Sequence, residues 1–243
     1  MKMKSLNGQI RNLILQNIPI REMSRRLDVP LSTVHYHVRK IKPGFRSLER
    51  PKINFRNLEE FGEVLGIFSG DGSVTGNYYY DTVITIGKKE GLYLKELIKL
   101  LIKVFNKRPW VYHDVNESVF RVRYRSILIF NFFIENLKWV HKKTKNVHLK
   151  RRIKNKRFGI GFLRGLIDTD GWITNKRVIF NTISKNLKKD IEFYLRLLNI
   201  DFRTRLQKDK RINQSDIYRI EILPHRVSKF FAIIKPRKFG VVV

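Results

Sequence analysis

The chain has 243 residues, 42% hydrophobic and 12% aromatic, which gives it enough apolar material for a core and excludes the disordered class. Its 51 Lys and Arg against 21 Asp and Glu leave a net charge of +30, which points to a polyanionic partner, nucleic acid first. The absence of cysteine excludes disulfides and thiolate metal sites. No apolar run is long enough to span a bilayer, and the opening MKMKSLNGQI lacks the apolar centre of a signal peptide, so a cytoplasmic protein without a membrane partner is expected.

Residues 1–42 predict a small all-α head. SLNGQIRNLILQ offers a Ser cap and an apolar stripe at Ile10, Leu13 and Ile14. In IREMSRRLDVPLSTVHYHVRKI, Ile20, Met23 and Leu27 line one helical face. Asp28, Val29 and Pro30 break the helix, and Leu31, Val34, Val38 and Ile41 line the next. A helix, a tight turn and a second helix with polar residues outward is the helix-turn-helix pattern, which resembles the tri-helical DNA-binding heads of regulators. Ser24 stands where a small Ala is common, and Asp28 where Gly is common. The outer face would carry Ser32, Thr33, His35, Tyr36 and Arg39, side chains able to reach bases or phosphates. The competing reading is a helical hairpin with a solvated face. Residues 43–55, PGFRSLERPKINF, read as a linker.

The remainder is duplicated. VLGIFSGDG at 64–72 is echoed by LRGLIDTDG at 163–171, with Asp71 and Asp170 99 residues apart. Thr-Ile-Gly-Lys at 85–88 matches Thr-Ile-Ser-Lys at 182–185, and FRVRY at 120–124 matches YRIEI at 218–222. Leu94, Leu97, Ile98 and Leu101 fall opposite Ile191, Tyr194, Leu195 and Leu198. Each half predicts helix, hairpin, helix, hairpin, helix, an α+β unit occupying 56–145 and again 146–243. A pseudo-twofold chain of high positive charge suits duplex DNA, bound as a monomer.

Gly66 and Gly70 are four residues apart, as are Gly165 and Thr169. Small residues at that spacing share a helix face and allow two helices to approach closely. Gly72 and Gly171 would then end the helices as C-terminal glycines. Asp71 and Asp170, just before them, would meet at one end of the pair. Helix C-termini carry partial negative charge, so two carboxylates there call for a divalent cation. Oxygen-only ligands suit Mg²⁺.

Two strands alternate apolar residues with long polar ones. Arg121, Arg123 and Arg125 share one face, as do Arg203, Arg205 and Gln207. These side chains suit bidentate reading of guanine and adenine. The competing reading is a solvated charged face. One sign of charge favours DNA contact, with Glu221 the main acidic exception.

LRGLIDTDG and VLGIFSGDG resemble the paired motifs of the LAGLIDADG homing endonucleases in their single-chain, two-repeat form, over residues 56–243. The resemblance implies a duplicated αββαββα fold whose strands form a saddle in the DNA major groove. It implies a site-specific, metal-dependent double-strand endonuclease of the intron-encoded type. The metal set would be Asp71 and Asp170 with the preceding Gly70 and Thr169, taking Mg²⁺ with Mn²⁺ as a substitute. Ser69 replaces the earlier acid of the first motif, and Asp168, the earlier acid of the second, would be structural. Family members often place a Lys near the centre. Here the strand positions are Arg121 and Arg219, and Lys145, upstream of the second motif, is the candidate, although the expected proline is absent. A phosphate-binding charge stretch is the competing reading of that segment. The ends lack intein splicing residues, so a freestanding protein is expected. A non-cleaving DNA-binding regulator, or an RNA-splicing maturase acting on RNA, are the alternatives.

Overall fold

The computed structural model describes residues 6–16, 18–42, 51–75, 80–138, 143–174, 176–208 and 215–238. The chain divides into two compact units, Met1–Arg50 and Pro51–Val243. The expected Ser5 cap and residues 43–50 of the expected linker lie outside the described residues.

The first unit is α1 (Leu6–Leu15), α2 (Ile20–Leu27) and α3 (Leu31–Ile41). Ile10, Ile14, Ile20, Met23, Val34 and Val38 form its separate core. Asp28 adopts the left-handed conformation at φ 50°, as the turn requires. Ser24 is explained by a bond: its hydroxyl donates to the Val29 carbonyl at 2.6 Å, on the far side of that turn.

The second unit begins with α4 (Leu58–Asp71), β1 (Gly72–Thr75), β2 (Asp81–Gly87), α5 (Gly91–Phe105), β3 (Trp110–Asp114), β4 (Val119–Arg125) and α6 (Ile127–Asn136). A connecting stretch carries β5 (Leu137–Lys138), α7 (Lys143–Asn146) and β6 (His148–Leu149), and β5 pairs with β6. The pattern then repeats in α8 (Lys156–Asp170), β7 (Gly171–Thr174), β8 (Arg177–Thr182), α9 (Lys185–Leu197), β9 (Phe202–Gln207), β10 (Ile217–Ile222) and α10 (Val227–Ile234). This is αββαββα twice, an α+β architecture. Each repeat builds an antiparallel four-stranded sheet of the same order, β1-β2-β4-β3 and β7-β8-β10-β9.

Two boundaries differ from the sequence reading. Lys52 and Asn54 donate backbone bonds to Phe105 and Val104 at the end of α5, at 3.0 and 2.8 Å, so the tail of the expected linker belongs to the second unit. The expected repeat boundary at 145/146 falls inside α7.

Local chemistry sets the motif helices. The Asn57 side chain caps α4 by accepting from the amides of Glu59 and Glu60, and Asn155 caps α8 by accepting from Phe158. Strand alternation turns Ile84, Ile86, Val122 and Tyr124 of the first sheet, and Val178, Phe180, Ile220 and Ile222 of the second, into one core with the helices. The opposite face of each sheet carries the arginines and their carboxylate partners together with Trp110 in the first sheet and Trp172 and Ile179 in the second.

Candidate active site and nucleic-acid interface

The motif helices α4 and α8 lie backbone to backbone. Gly62 faces Phe158 and Phe162, Gly66 faces Phe162 and Leu166, and Gly70 faces Thr169 and Asp170, so the helices run parallel. From the other side, Gly161 and Gly165 meet Glu59, Glu63 and Ile67. A Cβ on Gly66 would stand 2.2 Å from the Phe162 carbonyl oxygen, and one on Gly165 2.3 Å from that of Glu63. The spacing of Gly66, Gly70, Gly165 and Thr169 disclosed this seam; Gly62 and Gly161 extend it by a turn.

A parallel pair brings both C-terminal ends to one place. Asp71 and Asp170 are the last residues of their helices. A carboxylate oxygen of Asp170 lies 3.2 Å from where a Cβ on Gly70 would be, beside the residue that precedes Asp71. Gly72 and Gly171 end the two helices as expected, though not in the left-handed conformation. Both are extended, at φ −79° and −84°, and lead straight into β1 and β7. Their need for glycine is steric: an added Cβ would meet the Phe68 ring at 2.4 Å or the Ile167 side chain at 2.2 Å.

A cleft of about 330 Å³ opens beside Asp170, lined also by Ser69, Gly70, Val147, Asn181 and Thr182. Lys145 is exposed on α7, two residues before the cleft-lining Val147. Among the described residues no three His, Cys, Asp or Glu side chains gather to hold a metal. The protein's own set here is two carboxylates with the helix-end backbone. That set fits a hard cation such as Mg²⁺, which takes one or two carboxylates and completes its shell with water and phosphate oxygens. Asp71, Asp170, Gly70 and Thr169 are the residues that would hold it.

Behind the carboxylates lies a buried ionic network that the sequence did not disclose. The Asp168 carboxylate accepts from the backbone amides of Arg237 and Lys238, both at 3.0 Å. Burial pushes its carboxyl up to about 7, opposed by those two amides. Asp168 thereby ties α8 to the stretch that follows α10. Glu63, fully buried on α4, holds the guanidinium groups of Arg164 on α8 and of Arg237. Arg164 also reaches Glu59 at 2.6 Å and the Ile234 carbonyl at 2.6 Å. Ser69, in place of the first motif's earlier acid, donates instead to the Leu65 carbonyl at 2.8 Å. A charged residue within the apolar middle of each motif helix, Glu63 and Arg164, was the available signal.

The strand faces depart from the expectation of a single sign of charge. Asp81, a buried residue of β2, binds both Arg123 and Arg125. Arg121 pairs with Asp114 at 3.1 Å and Glu117 at 2.5 Å. Glu221 holds Arg203 through two bonds, at 2.9 and 2.7 Å. Arg205 and Gln207 on β9 are exposed and Arg219 on β10 is half-buried. Glu221 was the expected exception; Asp81, Asp114 and Glu117 were missed because they reach these faces from other strands and turns.

Residues 157–234 match the family model of the LAGLIDADG-like domain. The two-repeat unit has the LAGLIDADG fold. Solved structures of mesophilic variants of the homing endonuclease I-DmoI superpose with a TM-score of 0.58 at 22% identity, covering 74% of this chain and 98% of theirs. I-DmoI in complex with DNA and Mn gives 0.57 at 22%, covering 74% and 97%. I-DmoI in complex with DNA and Ca gives 0.57 at 20%, covering 74% and 91%. No curated protein matches the chain.

The unit preceding this LAGLIDADG unit presents a polar surface on α3. Ser32, His35, Tyr36 and Arg39 are exposed and Thr33 half-buried, on the side away from Val34 and Val38. The Lys40 ammonium lies 5.0 Å from the Tyr36 ring centroid. Among the described residues no helix is long and apolar enough to cross a membrane.

Proposed function

We propose that the chain is a site-specific double-strand DNA endonuclease of the homing type, a monomer that hydrolyses phosphodiesters with a divalent metal. The observation that carries this reading is the convergence of Asp71 and Asp170 at the ends of two parallel helices packed backbone to backbone at Gly62, Gly66, Gly161 and Gly165. The net charge of +30 and the arginines on the outer faces of two matched sheets favour a duplex partner. Asp71 and Asp170, with Gly70 and Thr169, would hold Mg²⁺, or Mn²⁺ in its place. When bound, such a cation supplies Lewis acidity toward the scissile phosphate. The close seam keeps the two carboxylates at a fixed separation. Arg205, Gln207 and Arg219 provide the strand surface that meets the duplex, whereas Arg121, Arg123, Arg125 and Arg203, paired with carboxylates, brace the sheets behind it. Lys145, near the cleft rim, places positive charge where the phosphate backbone would run.

The α3 face supports a second reading for the head. Ser32, Thr33, His35, Tyr36 and Arg39 would read a neighbouring stretch of duplex. Such a head favours a non-cleaving regulator as the competing function.

The test is selection of bound sequences from a randomised duplex library in Ca²⁺, exchange into Mg²⁺, and sequencing of the ends. Ends at one fixed position within an enriched site are expected. Enriched sites that stay intact would leave the regulator, and enrichment of folded RNA over duplex would replace both.

A further inference from the structure

The two sheets carry equivalent rows of side chains that differ in how their arginines are held. Gly72 pairs with Ile84 in the first sheet as Gly171 pairs with Phe180 in the second, which makes Thr85 the counterpart of Asn181. Thr85 lies opposite Arg121, and Asn181 opposite Arg219. One strand further out, Arg121 faces Tyr112, and Arg219 faces Arg205. The row is therefore Thr85–Arg121–Tyr112 in one half and Asn181–Arg219–Arg205 in the other.

In the first row the arginine is satisfied from within the protein. Arg121 has only 24% of its side chain exposed and is held between Asp114 and Glu117. Its strand neighbours are held too. Asp81 binds Arg123 and Arg125, and the Arg123 guanidinium also lies 5.7 Å from the Trp110 ring centroid. A guanidinium with its donors already directed at carboxylates has few left for a base edge.

The second row is different. Among the described residues neither Arg205 nor Arg219 forms an ion pair with a carboxylate; Glu221 is taken by Arg203 and, at 3.8 Å, by Arg177. Arg205 and Arg219 stand directly opposite one another, and like charges in that position are unfavourable unless an acceptor comes between or above them. Asn181 is exposed and lines the same cleft as Asp170. An unpaired acceptor-seeking row thus runs from the outer strand to the carboxylate end of the motif helices.

We propose that base discrimination is concentrated in the half of the target under the second sheet, read by Asn181, Arg219 and Arg205, while the first sheet holds its half of the duplex with little base selection. This rests on the reading that the saddle binds duplex DNA. Arg matches the O6/N7 edge of guanine and Asn the N6/N7 edge of adenine in the major groove, so the partner is a half-site carrying purines on the strand that faces the row. The first sheet's arginines act as braces for β2, β3 and β4.

The experiment uses the full chain and the duplex it selects. Binding is measured at fixed salt against that duplex and every single-base variant of it, for the wild type, Arg219→Ala, Arg205→Ala, Arg219→Lys and Arg121→Ala. The wild type should lose about 5- to 100-fold at contiguous positions of one half-site and far less in the other. Arg219→Ala and Arg205→Ala should flatten those losses. Arg219→Lys, which keeps the charge and loses the fork, should flatten them while keeping the salt dependence of binding. Arg121→Ala should leave base preference in both halves unchanged and lower the melting temperature. Equal discrimination in the two halves, uniform weakening across all sequences in the Arg219 and Arg205 variants, or flattening by Arg121→Ala would each overturn the inference. A wild type that enriches no duplex at all fails before any variant is made, and takes the endonuclease reading with it.

Discussion

Replacing Gly66 by alanine adds one methyl group in the middle of the helix seam, where the two backbones touch. That carbon would sit 2.2 Å from the Phe162 carbonyl oxygen and 3.0 Å from the Leu166 nitrogen. Ordinary contact begins about 1.2 Å further out, and both obstacles are backbone, so no side chain can swing aside. The helices must separate. Overpacking of this kind costs about 1–3 kcal/mol, a fall of roughly 2–12 °C in melting temperature for a chain of this size. Alanine's better helix propensity returns up to about 1 kcal/mol of that. The separation also moves Asp71 relative to Asp170. A displacement near 1 Å at a reacting centre is worth about 100-fold in rate. Cleavage should therefore fall far more than duplex binding. Gly91→Ala is the matched control, because nothing lies within 4 Å of its added carbon. It sits in α5 with helical backbone and should leave stability unchanged or raise it. Thermal melts and single-turnover cleavage of both variants decide the matter. A Gly66→Ala protein that melts and cuts like the wild type would refute the claim that backbone contact sets the carboxylate spacing.

The remaining predictions concern charge. Asp81→Asn removes a buried acceptor from Arg123 and Arg125 and should destabilise by about 3 kcal/mol, read as a shift in melting temperature. Burial works against Asp81's ionisation, but the bonds from Arg123 and Arg125 prevail and hold its carboxyl below the usual range. The pair's stabilisation is thus complete above the ordinary carboxylate pKa near 4 and is lost as pH falls through the lower folded value. The variant should lack that acid-side loss, measured by melting between about pH 2 and 5. Arg237→Ala strips one guanidinium from the fully buried Glu63 and should also destabilise by about 3 kcal/mol, whereas Arg237→Lys should recover part of it. Ser24→Ala leaves the Val29 carbonyl without its hydroxyl donor and should lower the stability of the head by about 1 kcal/mol, followed by local hydrogen exchange of α2 and α3.

The duplication was legible because it is written in local periodicities. Residues such as Leu94 and Leu97, or Ile191 and Tyr194, repeat at helical spacing, and Phe120 to Arg125 alternate at strand spacing, so each element declares itself within a few residues. The seam was legible from Gly66 and Gly165 for the same reason. The reason for glycine at each helix end was not, because glycine there serves either a left-handed turn or a crowded extended exit. Only the neighbours of Gly72 and Gly171, Phe68 and Ile167, decide between them. Charge compensation was hidden by distance along the chain. Asp81 meets Arg123 across 42 residues, and Glu63 meets Arg237 across 174. Asn181 escaped notice as well, since a lone amide at a strand end has no pattern. Its place became visible once the pairing with Arg219 and the cleft beside Asp170 were in hand.

The central claim is that Asp71 and Asp170 together form a metal-dependent phosphodiester-cleaving centre. The most direct measurement is strand cleavage of the selected duplex, with each strand labelled separately, by the wild type, Asp71→Asn and Asp170→Asn, in Mg²⁺ and in EDTA. The wild type should cut both strands in Mg²⁺ and neither in EDTA, and each variant should bind the duplex as tightly as the wild type but fail to make the double-strand cut. Undiminished cleavage by either variant, or cleavage by the wild type in EDTA, would contradict it.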